Sequence, residues 1–378
     1  MIRKISLSNF KLHDNTNIDM GGLTVLTGMN GMGKSSIIQC LLLLRQSYFS
    51  NDLESGLNLR GDLCDLGVSG ELACQSSEMH NLQIDLDFSH QEALHYSFVY
   101  PSNIMDTMLL AEGENVSSRE KLATYSLFNE NFQYISAFRF GPQKSYNRDT
   151  SLVVAKRQIS KIMGQCEYTV HFLEQYKNQP IYLKDLAILD ESDITPDYRL
   201  GEQVGRWLRE ISPYIKIDVK QEGEDFKLNY KFDREDNLIT EAMSAMNTGF
   251  GITYVLPILV AVLSAKKDAL ILIENPEAHI HPKGQAVLMK LIAKAVDAGV
   301  QVVIETHSDH IVNGSLVAVN QRLINVNELS LCFFDRDEHK HIAVAHQLHV
   351  EEDGHIHPAP PKNFFDQIEL DLRTLAGF

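Results

Sequence analysis

The run Gly28-Met29-Asn30-Gly31-Met32-Gly33-Lys34-Ser35 has the spacing G-x-x-x-x-G-K-[ST]. Glycines let the backbone curl so that successive N–H groups face one point, a lysine adds a positive charge there, and a following hydroxyl reaches a divalent cation. Such a constellation cradles a nucleoside triphosphate and its Mg2+ at a helix N-terminus. The expected ATP contacts are Asn30, Gly31, Gly33, Lys34, Ser35 and Ser36, with Ser35 on the metal. The surroundings agree, since the apolar stretch Leu23 to Thr27 reads as a strand entering the turn and Ser36 to Leu44 as a helix leaving it.

Three later segments carry polar tips on apolar runs. Ala269-Leu270-Ile271-Leu272-Ile273-Glu274-Asn275-Pro276-Glu277 reads as a buried strand ending in acids. At the carboxyl edge of a parallel sheet Glu274 would order Mg2+ through water, and Glu277 would polarise the attacking water. The plain alternative is a core strand capped by solvated carboxylates. Val302-Val303-Ile304-Glu305-Thr306-His307-Ser308 is a second buried strand, whose His307 would sense the γ-phosphate by hydrogen bonding. Position singles it out among 15 histidines. Asn247-Thr248-Gly249-Phe250-Gly251-Ile252-Thr253-Tyr254 opens an apolar helix, so Gly249 and Gly251 could offer N–H groups to a phosphate, or Thr253 could simply cap the helix. P-loop, glycine-rich helix start, acid-tipped strand and histidine-tipped strand follow in the order found in ABC-type ATPases.

The elements needed to position these residues are legible in outline. Strand patterns cover Ile2 to Phe10, Thr16 to Met20, Leu82 to Phe88, Ala93 to Tyr100 and Tyr134 to Phe138, and the P-loop helix runs to about Phe49. Between 147 and 212 the pattern turns helical at Glu167 to Tyr176 and Leu200 to Ile211, around the acidic Asp185, Asp190, Glu191 and Asp193. Ile215 to Gln221 and Phe226 to Phe232 alternate around Glu222-Gly223-Glu224-Asp225, a hairpin pattern. From Asn247 the α/β pattern returns: a helix to Ser264, a strand from Ala269 to Ile273, a helix from Pro282 to Ala298 and a strand from Gln301 to Ile304. The domain reading is an N-terminal ATPase lobe at 1–146, a helical insertion at 147–212, a C-terminal ATPase lobe at 213–345 and a short segment at 346–378.

Composition narrows the class. With 44% apolar and 22% charged residues the chain is an ordinary globular one, and its net charge of −16 does not favour a surface lying on DNA or an anionic membrane. The five cysteines show no C-x-x-C spacing and read as free thiols in a reducing compartment. No signal-peptide pattern opens the chain and no apolar run is long enough to span a bilayer, so a cytoplasmic protein is expected.

The chain resembles the ABC/SMC-like AAA-type ATPases related to the OLD (overcoming lysogenization defect) proteins, in the branch with a short C-terminal domain of unknown function and no TOPRIM nuclease domain. The likeness rests on Ile5 to Lys11, the P-loop, Gly61 to Gly67, Tyr134 to Gly141, Gly249-Phe250-Gly251, Glu274 to Pro282, Thr306-His307-Ser308 and Asn363-Phe364-Phe365-Asp366-Gln367. It implies an α/β fold: an ABC-type ATPase head, a P-loop on a mixed sheet with flanking helices, with an antiparallel β subdomain and a helical insertion. It also implies a head-to-head dimer clamping ATP and Mg2+, in which Gly249 to Gly251 of one subunit closes on the γ-phosphate held by the other. His307 then matches the switch histidine, and Gln143 the Mg2+-sensing glutamine, with Gln46 competing for that role. Asn275 stands where ABC ATPases carry the catalytic glutamate, which moves that role to Glu277 or slows turnover. Thr253 and Tyr254 replace the polar residues expected after the signature glycines.

The function implied is an ATP-dependent conformational switch governing a separate effector, and the family likeness points to prokaryotic anti-phage defence. Two rivals stand beside it: an OLD-like DNA-processing ATPase with a nuclease domain, and a P-loop kinase. Asp335 and Asp337 have a D-x-D look, but too few residues follow for a TOPRIM domain, and Leu329 to Phe334 with Asp335 to His339 reads as a strand and its turn. The pairs His279 with His281, His346 with His349 and His355 with His357 lack the partners of a four-ligand zinc set. No heptad run persists long enough for a coiled-coil arm.

Overall fold

The computed structural model describes residues 1–378 except 90, 114–116, 191–194, 235–237, 338, 363, 366 and 377–378, and for 367–370 the backbone alone. Glu191, Asp193, Asn363 and Asp366, named above, lie outside the described residues. The chain opens on β1 (Ile2–Phe10) and β2 (His13–Asp19), whose alternate residues turn inward, with Ile5, Leu7 and Ile18 fully buried. β3 (Leu23–Gly28) is buried along almost its whole length and hands the chain through the P-loop to α1 (Lys34–Phe49). β4 (Gly56–Asn58), β5 (Asn81–Phe88), β6 (Ala93–Val99) and β7 (Met108–Ala111) follow. They join the first hairpin in a six-stranded antiparallel sheet ordered β2-β1-β5-β6-β7-β4. The short strands β4 and β7 escape sequence reading, because three or four residues show no periodicity.

After α2 (Arg119–Leu122) comes β8 (Phe132–Ile135), which ends earlier than the Tyr134 to Phe138 pattern suggests. The chain turns there: Phe138 is 76% exposed and Arg139 folds back into the interior. Segment 147–212 carries α3 (Thr169–Tyr176) and α4 (Leu200–Ile211). Their apolar faces, Phe172, Leu173, Val204 and Leu208 among them, join the same core as the helices that follow. β9 (Ile215–Glu222) and β10 (Asp225–Phe232) form the hairpin legible in the sequence, with Glu222 opposite Asp225, and β11 (Met243–Ser244) adds a third strand.

The remaining elements are α5 (Phe250–Leu263), β12 (Leu270–Glu274), α6 (Pro282–Asp297), β13 (Gln301–Glu305), α7 (Asp309–Asn320), β14 (Leu329–Arg336), β15 (Ala343–Leu348) and α8 (Gln367–Ala376). A second six-stranded sheet runs β15-β14-β3-β13-β12-β8, parallel from β14 to β8 with β15 antiparallel at one edge. Its central strands are apolar runs because both faces are covered. On one face Val25, Ile271, Ile273, Val302 and Ile304 pack beneath α3 to α7. On the other, Leu26, Leu270, Leu272 and Val303 meet α1, which lies between the two sheets and is buried almost all round. The β14–β15 turn is where Asp337 accepts the N–H groups of His339 and Lys340, a turn-capping role. All five cysteines are buried thiols. Among the described residues no helix is long and apolar enough to cross a membrane.

Candidate nucleotide-binding site

In a parallel sheet all strands end on one edge, and here β3, β13 and β12 end side by side. The P-loop leaves β3, and α1 begins at Lys34 with Gly33 as its N-cap. A cavity of about 420 Å3 opens there, lined by Asn30 to Ser36 on one wall and by Glu274, Asn275, Glu305 and His307 on the other. Lys11, Gln39 and Phe138 close its rim. Nothing in the local sequence around Lys11, Phe138 or Glu305 marks them as cavity residues. Lys11 reaches the cavity from the first hairpin and donates to Gln39 at 2.6 Å, with its ammonium pKa lowered by burial.

Lys34 is buried, and its Nζ donates to the carbonyls of Gly28 at 2.8 Å and Met29 at 2.6 Å. Burial lowers its pKa, while the nearby Glu305 acts the other way. The loop is shaped from beneath by His13 of β2, whose Nε2 lies 3.0 Å from the Gly33 carbonyl and whose Nδ1 lies 2.9 Å from Thr16 Oγ1. A carbonyl can only accept, so Nε2 carries the proton and Nδ1 accepts from the threonine. Gly33 has φ 95°, and a Cβ there would come within 2.8 Å of His13 Nε2, so both conformation and space require glycine.

Burial holds the fully enclosed His13 imidazole at a pKa of about 4, against the bond to Gly33. A folded pKa below the unfolded value of about 6.5 means that the unfolded chain takes the proton first. The stability this contributes is therefore present above about pH 6.5 and drains away as pH falls towards 4. Chemical denaturation should find wild type losing about 2 kcal/mol more than His13→Gln between pH 7 and pH 5. Parallel losses in the two proteins would show that His13 takes up its proton as readily in the fold as in the unfolded chain.

The two acid-tipped strands are in register, with Glu274 directly beside Glu305, and both acids project towards the start of α1. Their surroundings differ. Glu274 Oε1 accepts from Tyr134 Oη at 3.0 Å and Oε2 from the Ala137 N–H at 3.1 Å, so this carboxylate ties β12 to the turn after β8. Glu305 Oε1 accepts from Ser35 Oγ at 2.7 Å, while Oε2 is buried without a hydrogen-bond partner. Burial raises both pKa values, that of Glu305 to about 7, where the neighbouring Glu274 adds to the shift. A buried carboxylate oxygen without a donor, beside the P-loop serine and facing a second acid, fits a divalent cation; Ser35, Glu305 and Glu274 are the groups that could hold Mg2+.

A family model described as "AAA ATPase domain" matches residues 1–192 and 203–312. The chain belongs to the AAA ATPase domain family. No curated protein matches it in sequence. Among solved structures it is similar to an SMC head bound to the C-winged helix domain of ScpA, at 13% identity and TM-score 0.58, over 93% of this chain and 99% of the other. It is also similar to an Smc head domain with an extended coiled coil, bound to the C-terminal domain of ScpA, derived from Pyrococcus furiosus, at 11% identity and TM-score 0.54, over 100% and 98% of the two chains. The fold is that of an SMC ATPase head, carried by a member of the AAA ATPase domain family.

Within this ATPase the other candidate residues fall as follows. Glu277 lies outside the cavity lining; its carboxylate accepts from Thr306 Oγ1 at 2.8 Å and the His307 N–H at 3.0 Å, bracing the tip of β13. His307 lines the cavity, and its pKa is lowered by burial and then by the Lys34 charge, which keeps the ring neutral at pH 7. Gln143 lies outside the lining, its backbone N–H bonded to Tyr146 Oη at 3.2 Å. Gln46 is spent on a loop, with Nε2 on the Asn58 carbonyl and Oε1 accepting from the Cys64 N–H. His281 caps α6 by accepting from the Lys283 N–H. Gly249 is exposed with open space about it, and Gly251 packs so tightly on the His279 carbonyl that a Cβ would lie 2.1 Å from that oxygen. Neither glycine reaches the chain's own cavity.

Arg139, absent from the sequence reading as a site residue, links these parts. It is 1% exposed and donates to the carbonyls of Ser136 and Glu274 at 3.1 and 2.9 Å, of Asn275 at 2.8 Å and of Tyr254 at 2.9 Å. One guanidinium thus fastens the first turn of α5 to the tip of β12.

Proposed function

We propose that this chain is a dimeric, ATP-driven switch of the OLD-related branch, in which two heads close face to face on ATP and Mg2+, and that the closed and open states govern a separate effector in a prokaryotic anti-phage module. The observation that carries the closure is the division of the site. The P-loop, Lys34, Ser35, the two acids and His307 share one cavity, whereas Gly249 sits on an exposed surface beside Phe250, 59% exposed. A contact from Gly249 to a γ-phosphate is then a contact to another subunit's nucleotide. Exposed apolar side chains support such a surface: Phe138 stands at the cavity rim, and the turn carrying it comes against Phe250 and Tyr254 at Gly141. Apolar side chains exposed together rather than singly are the mark of an association surface.

Lys34 and the N–H groups at the start of α1 would take the phosphates, and Ser35 with the two strand-tip acids would hold Mg2+, whose charge would offset that of the phosphate oxygens when bound. The neutral His307 offers a hydrogen bond at the phosphate end of the cavity, and Glu277 fixes its backbone. We assign proton acceptance from the attacking water to Glu277, freed from Thr306 and His307 as the heads close. ATP favours the state that offers it both faces, so binding drives closure and hydrolysis releases it.

The test is mass in solution and ATP turnover, with and without Mg2+-ATP. Wild type should shift from monomer to dimer on ATP and relax as ATP is consumed. Glu277→Gln keeps an oxygen to accept from the His307 N–H but cannot take a proton, so turnover should fall about a hundredfold and the dimer persist. Unchanged mass with ATP in both proteins would remove the switch reading and leave an ATPase acting as a single head.

A further inference from the structure

A second cavity, of about 820 Å3, opens at the far end of α1 and shares no lining residue with the nucleotide cavity. It lies within the range of roughly 300 to 1,000 Å3 in which proteins enclose small ligands. Arg45 and Phe49 come to it from α1, Leu63 from the loop after β4, Phe128 from the segment before β8, and Leu152 and Ala155 from a short π-helix, Ser151–Ala155. Along the helix axis Arg45 stands about 16 Å from Lys34. We propose that this cavity is a binding site for a small organic anion, a carboxylate or a phosphate monoester on an apolar body, and that Arg45 grips the anionic group.

The state of Arg45 carries the argument. The residue is only 5% exposed, and its Nη1 donates to the carbonyls of Leu127 at 2.6 Å and Asn129 at 3.0 Å. Its guanidinium carbon lies 4.0 Å from the ring centre of Phe132 and 4.6 Å from that of Phe49. Two carbonyls and two rings thus fix the plane of the group. Among the described residues Nε and Nη2 have no hydrogen-bond partner, and no carboxylate pairs with the guanidinium. Those two nitrogens form one edge of the planar fork, the edge that can hold two oxygens of a carboxylate or phosphate at once. A buried cation met only by carbonyl dipoles is costly until a counter-ion completes it. The acids of the cavity do not supply one: Asp62 and Glu130 are exposed, as are Lys156 and Lys161 of opposite sign, and Asp149 Oδ1 accepts from the Leu152 N–H at 2.9 Å. The buried charge therefore sets the sign of the ligand, and the apolar side chains around it suit an uncharged body.

The probes are para-fluorobenzoate, para-fluorophenyl phosphate and the neutral para-fluorobenzamide, titrated into full-length protein and followed by fluorine NMR. At least one of the two anions should bind with a dissociation constant of about 1 mM, ordinary for a molecule of that size, and the benzamide about tenfold more weakly. Whichever anion binds more tightly tells carboxylate from phosphate. Binding should be the same in Lys34→Ala, because the P-loop takes no part. Arg45→Lys keeps the charge but not the fork and should weaken the anions about tenfold. Ala155→Trp, at an exposed position on the cavity wall, leaves the buried groups untouched and should abolish binding by filling the space, so the test survives if the Arg45 variant does not fold. Equal binding of benzamide and anions, anion binding that persists in Ala155→Trp or vanishes in Lys34→Ala, or no binding of either anion to wild type overturns the proposal.

Discussion

Lys34→Ala should weaken nucleotide binding by roughly a hundredfold, equivalent to about 3 kcal/mol for a buried charge-assisted contact, and reduce ATP turnover to background. The Nζ group is enclosed and held by two carbonyls of its own loop, and an ammonium has three donors. Two hold the loop in shape and the third is available to a phosphate oxygen. Alanine removes the charge and frees the Gly28 and Met29 carbonyls, so the cradle loses both its cation and its geometry. A fluorescent ATP analogue measures the affinity. The melting temperature, expected to stay within a few degrees because a desolvated charge is lost along with its bonds, separates lost binding from lost fold. Undiminished affinity would mean that the P-loop does not carry the nucleotide.

Arg139→Met should be among the most destabilising single changes in this chain, costing about 3 to 5 kcal/mol in chemical denaturation. Methionine fills much of the volume yet leaves the carbonyls of Tyr254, Glu274 and Asn275 without the guanidinium donor in a partly buried setting, while Ser136 keeps only the backbone N–H of residue 139. Arg139→Lys should recover little, since an ammonium cannot reproduce the planar fork that reaches several carbonyls at once. Because Arg139 joins the first turn of α5 to the tip of β12, ATP turnover should fall in Arg139→Lys even under conditions where the variant remains folded. A stability loss below about 1 kcal/mol would show that the carbonyls find other donors.

Much of this arrangement was legible from residue order, and the parts that were not share one cause. The P-loop needs only a strand, a turn and a helix contiguous in the chain, so Gly28 to Ser35 announces itself. Strands β3, β12 and β13 read as apolar runs because they are covered on both faces. The β9–β10 and β14–β15 hairpins read from alternation and turn residues. Gln46 competes with Gln143 in the sequence for the Mg2+-sensing role, yet it lies within α1, which turns it into the loop at 58–64. His13 supports Gly33 from another sheet, and nothing in its neighbours along the chain signals that contact.

The sequence by itself therefore determined the chemistry on offer: a phosphate cradle, a lysine, a hydroxyl, acids and a histidine on strand tips, in the order of an ABC-type head. Only the tertiary structure decided which of them meet. It set β13 between β3 and β12, brought Glu305 to Ser35, bound Glu274 to the β8 turn, gave Glu277 to the backbone of His307 and threaded Arg139 between α5 and β12. The physical reason is that motif and periodicity are written in separations of a few residues, whereas sheet order is settled by which buried faces pack together across the whole chain.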